Sequence, residues 1–250
     1  MSSAGGSRRR NRLVCYFGGF FIMTLGIAIS VKSNLGVSPV SSIPYTLTCV
    51  FGIEMGKATI LFHMGLVLLQ ILILRKAFQA KNLLQVVVGV LFGCFTTFCN
   101  DLMTFLPDPH NLLVRLGMML VSIVLIALGI FLYVPADLMP LAGEGAMLAI
   151  SQVSGVAFST VKILFDCSMV TISLVTCLVM LHALGSVGVG TAAAAVLVGV
   201  VLKGIKKVLG KRRDVWLGCS AEQPCAEGAA AHDASAPLKL TFFNRSGEGT

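Results

Sequence analysis

Charge is what this chain has least of. Aspartate and glutamate together number 11 and lysine and arginine 19, or 12% of 250 residues, where a soluble protein carries about a quarter. The familiar catalytic signatures are missing as well: there is no Walker glycine run, no His-Glu-x-x-His and no nucleophile elbow, so no enzyme is expected. Cysteine is present, eight in all, yet in no useful pattern. Cys15, Cys49, Cys94, Cys99, Cys167 and Cys177 lie in or near apolar segments, where the residue serves as a small hydrophobe. Cys219 and Cys225 match no zinc spacing and fall in a segment read below as cytoplasmic, which disfavours a disulfide. No metal site and no cofactor are expected. Apolar residues fill the space, at 56% of the chain and a mean hydropathy of +0.90, which is the composition of an integral membrane protein.

Six uncharged or nearly uncharged stretches stand out: Leu13–Val31, Ala58–Leu74, Leu83–Asn100, Leu116–Val134, Ile163–Leu184, broken by Asp166, and Val187–Leu202. At about 1.5 Å per residue each approaches the length needed to cross a hydrocarbon layer of about 30 Å. Arg8, Arg9, Arg10 and Arg12 precede the first stretch without a cleavage site after it, as in a retained anchor. Arg75, Lys76 and Lys81 follow the second, and Lys203, Lys206, Lys207, Lys211, Arg212 and Arg213 follow the sixth. Basic residues gather on the cytoplasmic side, so both termini are predicted inside. The net charge of +8 is then a topology signal, and nucleic acid is not an expected partner; the bilayer is. The organisation predicted is a basic cytoplasmic N-terminus over 1–12, a first membrane repeat over 13–106, a second over 107–207 and a disordered cytoplasmic tail over 208–250. Asn244-Arg245-Ser246 matches a glycosylation acceptor, which a cytoplasmic tail never presents to the machinery.

The division into repeats comes from self-similarity. Arg12–Gln70 lies over Arg115–Ser173 at a constant offset of 103 without a gap, matching Leu25-Gly26-Ile27 with Leu128-Gly129-Ile130, Gly52 with Gly155, and Ile60-Leu61-Phe62 with Ile163-Leu164-Phe165. After a three-residue shift the match continues, Val90-Leu91 and Gly93 facing Val196-Leu197 and Gly199. Three spans per half is an odd number, so two like-folded halves must be of opposite orientation, related by a pseudo-two-fold axis in the membrane plane. The fold expected is all-α and polytopic: six transmembrane helices as two inverted three-helix repeats, each with a short amphipathic helix.

Those short helices lie between the first and second span of each half. In Asn34–Gly52, Ser38 can cap and Pro39 open a helix, with Val40, Ile43, Leu47, Val50 and Phe51 on one face, Ser41, Ser42, Thr46 and Thr48 toward the other, and Gly52 as a stop. Its partner, Asp137–Gly155, sets Met147, Ile150 and Val153 in a stripe. Either the pair lies flat in the interface, or it dips inward as re-entrant half-helices whose N-terminal amides face the interior and favour an anionic group.

The remaining polar residues are candidates for binding. Lys162 and Asp166 are four apart and share a helix face; ionisable groups within a span point by default to a pathway or a site, the plainer alternative being a lysine that reaches the interface with Asp166 as its partner. At the offset of 103, Asp166 falls on His63 and Lys162 on Thr59, which would bring two titratable groups toward the axis from opposite halves; a lone histidine in an apolar span can equally be a packing residue. Glu144 precedes the second short helix. Candidate solute-binding residues are therefore Ser38, Ser41, Ser42, His63, Glu144, Lys162 and Asp166, with none assigned to catalysis or to a metal.

Leu35-Gly36-Val37-Ser38-Pro39, Gly143-Glu144-Gly145 and Val161-Lys162-Ile163-Leu164-Phe165-Asp166, in this order, resemble the YczE/YyaS/YitT group of bacterial membrane proteins over about Leu13–Lys207. The resemblance implies a multi-span inner-membrane protein, often described as transporter-like. Some relatives carry a soluble C-terminal domain, where this chain has only a polar tail. Two functions are compatible with these features: a secondary transporter of a small polar or anionic solute, which requires polar residues converging in the interior, or a non-transporting protein that anchors a partner through the basic stretch Lys203–Arg213, for which an apolar interior suffices.

Overall fold

The computed structural model describes residues 3–217 apart from 137, 183, 184 and 186. Asp137, where the second short segment was expected to begin, and the tail from 218 onward, with Cys219, Cys225 and the Asn244 motif, lie outside the described residues. Within them every regular element is helical: α1 (Ser3–Ser33), α2 (Pro39–Phe51), α3 (Met55–Leu74), α4 (Leu84–Thr104), α5 (Leu112–Tyr133), α6 (Ala142–Ser154), α7 (Phe158–Leu181) and α8 (Val189–Leu217). Five are long and apolar enough to cross a membrane, over Arg9–Ser33, Met55–Ala77, Ala80–Thr104, Leu112–Ala136 and Phe158–Leu181. The sixth expected stretch, Val187–Leu202, opens α8, which is not among those five. Beyond it α8 stays helical to Leu217, so residues 208–217, assigned above to the tail, continue that helix. The reason is an anchor: the Arg213 guanidinium donates to the Phe131 carbonyl oxygen at 3.1 Å and sits 4.4 Å from the centre of the Phe131 ring.

The repeat is visible in the element boundaries. α2 and α6 each hold 13 residues, start and stop 103 positions apart, and end on left-handed glycines, Gly52 at φ 66° and Gly155 at φ 70°. α3 and α7 begin at the same offset. Glycine takes this conformation without the steric penalty of a Cβ, so the matched pair of stops is written directly in the sequence.

α1 and α5 form the most extensive helix pair, and small residues set their approach. A Cβ on Gly19 would stand 2.9 Å from the Gly129 carbonyl oxygen, one on Gly26 3.0 Å from that of Ser122, and the Ser122 hydroxyl donates to the Gly26 oxygen at 2.7 Å. Gly19 and Ser122 are equivalent in the repeat, as are Gly26 and Gly129. Each position therefore meets the other's counterpart, and small residues are what close helix crossings in lipid require.

The short helices are exchanged between halves: α2 packs on α7 and α6 on α3. Ser42 bonds Ser173 across hydroxyls at 2.9 Å and Thr46 lies 3.7 Å from the Cys177 sulfur. On the other side, buried Gln70 donates to the Ala142 carbonyl oxygen at 3.1 Å and to Gln85 at 2.9 Å. Ser173 and Gln70, again equivalent under the offset, each stand sixteenth in their helix, so the N-termini of α2 and α6 reach well along the flanking long helices. In α2 the buried residues are Pro39, Ser41, Ser42, Pro44 and Thr46; the hydroxyl face turns inward and Phe51 outward. Pro44 lies inside α2, and beside it two hydroxyls bond the helix backbone, Ser42 to the Pro39 carbonyl oxygen at 2.6 Å and Thr46 to that of Ser42 at 2.8 Å.

Candidate functional site

The N-termini of α2 and α6 meet at one cavity of about 290 Å³, to which all eight helices contribute. Neither end is closed by a side chain. Ser38, at the N-cap of α2, makes no capping bond and instead donates to the Ser41 hydroxyl at 3.0 Å, and the N-cap of α6 is Leu141, which has no group to offer. Two uncapped helix starts present roughly half a positive charge each. Both lie at the wall of the cavity, through Ser38, Pro39 and Ser41 on one side and Leu141, Gly143 and Glu144 on the other.

Ionisable groups line the same cavity. Lys162 Nζ pairs with Asp166 Oδ2 at 3.0 Å; the lysine side chain is half exposed and the aspartate largely covered. Asp166 Oδ1 is buried and has no hydrogen-bond partner among the described residues. His63, 3% exposed, reaches the same cavity from α3, stacked edge-on to Phe92 at 5.6 Å, with Nδ1 also unpartnered. Thr59 and Thr96 line the wall beside it. The Tyr133 hydroxyl donates to Glu144 Oε1 in a short bond. The rest of the lining is apolar, with Met23, Ile27, Phe62, Ile126, Ile130 and Met147 among it. An unmet buried polar group costs about 1–3 kcal/mol, and two of the residues lining this cavity carry one.

Six of the seven sequence candidates, Ser38, Ser41, His63, Glu144, Lys162 and Asp166, line this cavity. Ser42 does not: it is fully buried one step behind, bonded to Ser173, because α7 covers that side of α2. Tyr133, Gln70 and Gln85 escaped the sequence reading. A tyrosine at a span end is unremarkable without its partner, and two glutamines fifteen positions apart acquire meaning only when α6 is seen to end on them. The Gly143-Glu144-Gly145 motif carried a trace of it: a Cβ at Gly145 would fall 2.6–2.8 Å from the Gln70 and Gln85 amide groups.

Helices long and apolar enough to cross a membrane, with hydroxyls buried between them, define a multi-span membrane protein. The chain belongs to the family described as "Family of unknown function (DUF6198)", which matches residues 10–207. It is similar to the "Uncharacterized membrane protein YczE" of Bacillus subtilis (strain 168), with 26% identity over 194 residues, 77% of this chain and 84% of that protein. The YczE-like resemblance read from the motifs above is thereby shown. No solved structure matches.

Proposed function

We propose that the protein is a secondary transporter of a small polar or anionic solute. In this reading it has six spans in the bacterial inner membrane, with both termini cytoplasmic and two inverted halves moving against each other around a shared site. The observation that carries the proposal is the convergence of two uncapped helix N-termini, the Lys162–Asp166 pair and the unpartnered His63 on one cavity. Re-entrant half-helices aimed at a central site are how several transporter folds hold charged substrates, and the depth reached by α2 and α6 along α7 and α3 supports that form over a flat interfacial one. The exchanged short helices and the reciprocal α1–α5 crossing support the inversion. The polar side chains that line the cavity, Thr59, Thr96 and Tyr133 beside the candidate residues, favour transport over an anchoring role, for which an apolar interior suffices.

The test is a thermal-shift screen of the purified protein in lipid across metabolite classes. A stabilising ligand binds the folded state in preference to the unfolded, and its effect should vanish in Asp166→Asn. Absence of any stabilising class, together with capture of a partner through Lys203–Arg213, would replace the transporter with the anchoring protein.

A further inference from the structure

The two halves are alike in sequence but not in how their last two helices meet. α3 and α4 pack along their length, whereas the equivalent α7 and α8 barely touch. The first seam is zipped by glycine: a Cβ on Gly56 would stand 2.6 Å from the Gly93 carbonyl oxygen and one on Gly93 2.8 Å from that of Gly56. Glu54 latches its end, accepting from the Thr97 hydroxyl at 2.5 Å. The equivalents in the second half are Ser159 for Gly56, Gly199 for Gly93, Ala157 for Glu54 and Lys203 for Thr97. Gly199 has nothing within 4 Å of its Cβ position, and neither alanine nor lysine can rebuild the latch. Burial follows suit, at 39% of the apolar window in α3 against 22% in α7.

The open seam leads to the candidate site. Gly199 and Ala195 of α8 line the same cavity as Lys162 and Asp166 of α7, and Lys162 is half exposed. α8 is held in place from elsewhere, its start by the Gly190 amide bonded to the Leu35 oxygen at 2.8 Å and its far end by Arg213 on Phe131, so α7 is free of it. We propose that the gap between α7 and α8 is the mouth through which solute reaches the cavity, and that the α3–α4 seam is the same gate in its shut form. By the charge distribution the open mouth faces the cytoplasm. The inference rests on the carrier reading for its purpose: in an inverted repeat the two seams exchange states when access passes from one face to the other.

A thiol reacts in proportion to its access, which makes the mouth measurable without knowing the solute. In the full chain in lipid nanodiscs, Thr59→Cys places a thiol on the cavity wall, and its modification by a charged thiol reagent is followed by peptide mass, leaving the native cysteines in place. Adding Gly199→Trp, or Ala195→Phe should the first fold poorly, should slow that modification about tenfold or more. Gly65→Trp, at an exposed glycine with nothing within 4 Å outside the cavity, should leave it unchanged. Modification unaffected by both plugs, or no modification of Thr59→Cys at all, overturns the proposal. Plugs that block modification while no metabolite stabilises the protein would keep the mouth and remove the carrier; a stabilising metabolite with ineffective plugs would do the reverse.

Discussion

Asp166 shows how much one atom can decide. Its Oδ2 is taken by Lys162 and its Oδ1 by nothing among the described residues, so the pair is not a closed structural unit. Asp166→Asn keeps the shape and removes the charge; uptake or ligand affinity should fall about tenfold or more, at least about 1.4 kcal/mol, while the yield of folded protein in membranes stays near wild type. Loss of folded protein in step with activity would make the pair structural. Glu54 invites a different measurement. The Thr97 hydroxyl, then Lys57 at 3.1 Å, hold its carboxyl below the usual carboxylate range. A lowered folded-state value means that the stabilisation is present above the ordinary pKa of about 4.3 and is lost as pH falls through the lowered one. Thermal stability of the wild type should therefore drop on acidification below about pH 4 by more than that of Glu54→Gln, as read by paired melting curves; parallel curves would remove Glu54 as a latch.

At the scale of elements, the short helices were legible and their setting was not. Pro39, Gly52 and Gly155 mark α2 and α6 because their backbone preferences are local, and the stripe of hydroxyls announces a polar face. That this face turns inward, onto α7, depends on contacts between Ser42 and Ser173, 131 positions apart. The glycines make the same point more sharply. Gly93 and Gly199 are equivalent in the sequence, yet one is wedged against Ile60 and Gly56 and the other stands in open space. Gly93→Leu should cost about 1–3 kcal/mol through overpacking, whereas Gly199→Leu should change the melting temperature little. Equal costs would show that the two seams are packed alike.

For the whole molecule the prediction is topological. Impermeant thiol labelling in intact cells should leave Cys219 and Cys225 untouched and should modify a cysteine placed at His110. External labelling of the tail would overturn both the six-span map and the inversion built on it. The Lys32–Asp108 bridge, at 2.6 Å with its carboxylate exposed, is open to screening by salt, because ions reach the carboxylate from water.

What the sequence determined by itself was the solvent, the self-similarity of its two halves and the glycine stops of the two short helices. Apolar runs, basic flanks and glycine stops act over a few residues each, and a repeat is a comparison of the chain with itself. Six of the candidate residues for the cavity were found in the same way, since a polar group in an apolar span is conspicuous wherever it ends up. Only the tertiary structure decided which of these groups meet, that Tyr133 holds Glu144, that Gln70 and Gln85 seat α6, and that Ser42 belongs to packing. It also decided the difference between the halves. Symmetry in a sequence sets two seams the same task, but whether a glycine is wedged or free depends on where the neighbouring helix comes to lie, and that position is fixed by distant contacts such as Arg213 on Phe131 and Gly190 on Leu35.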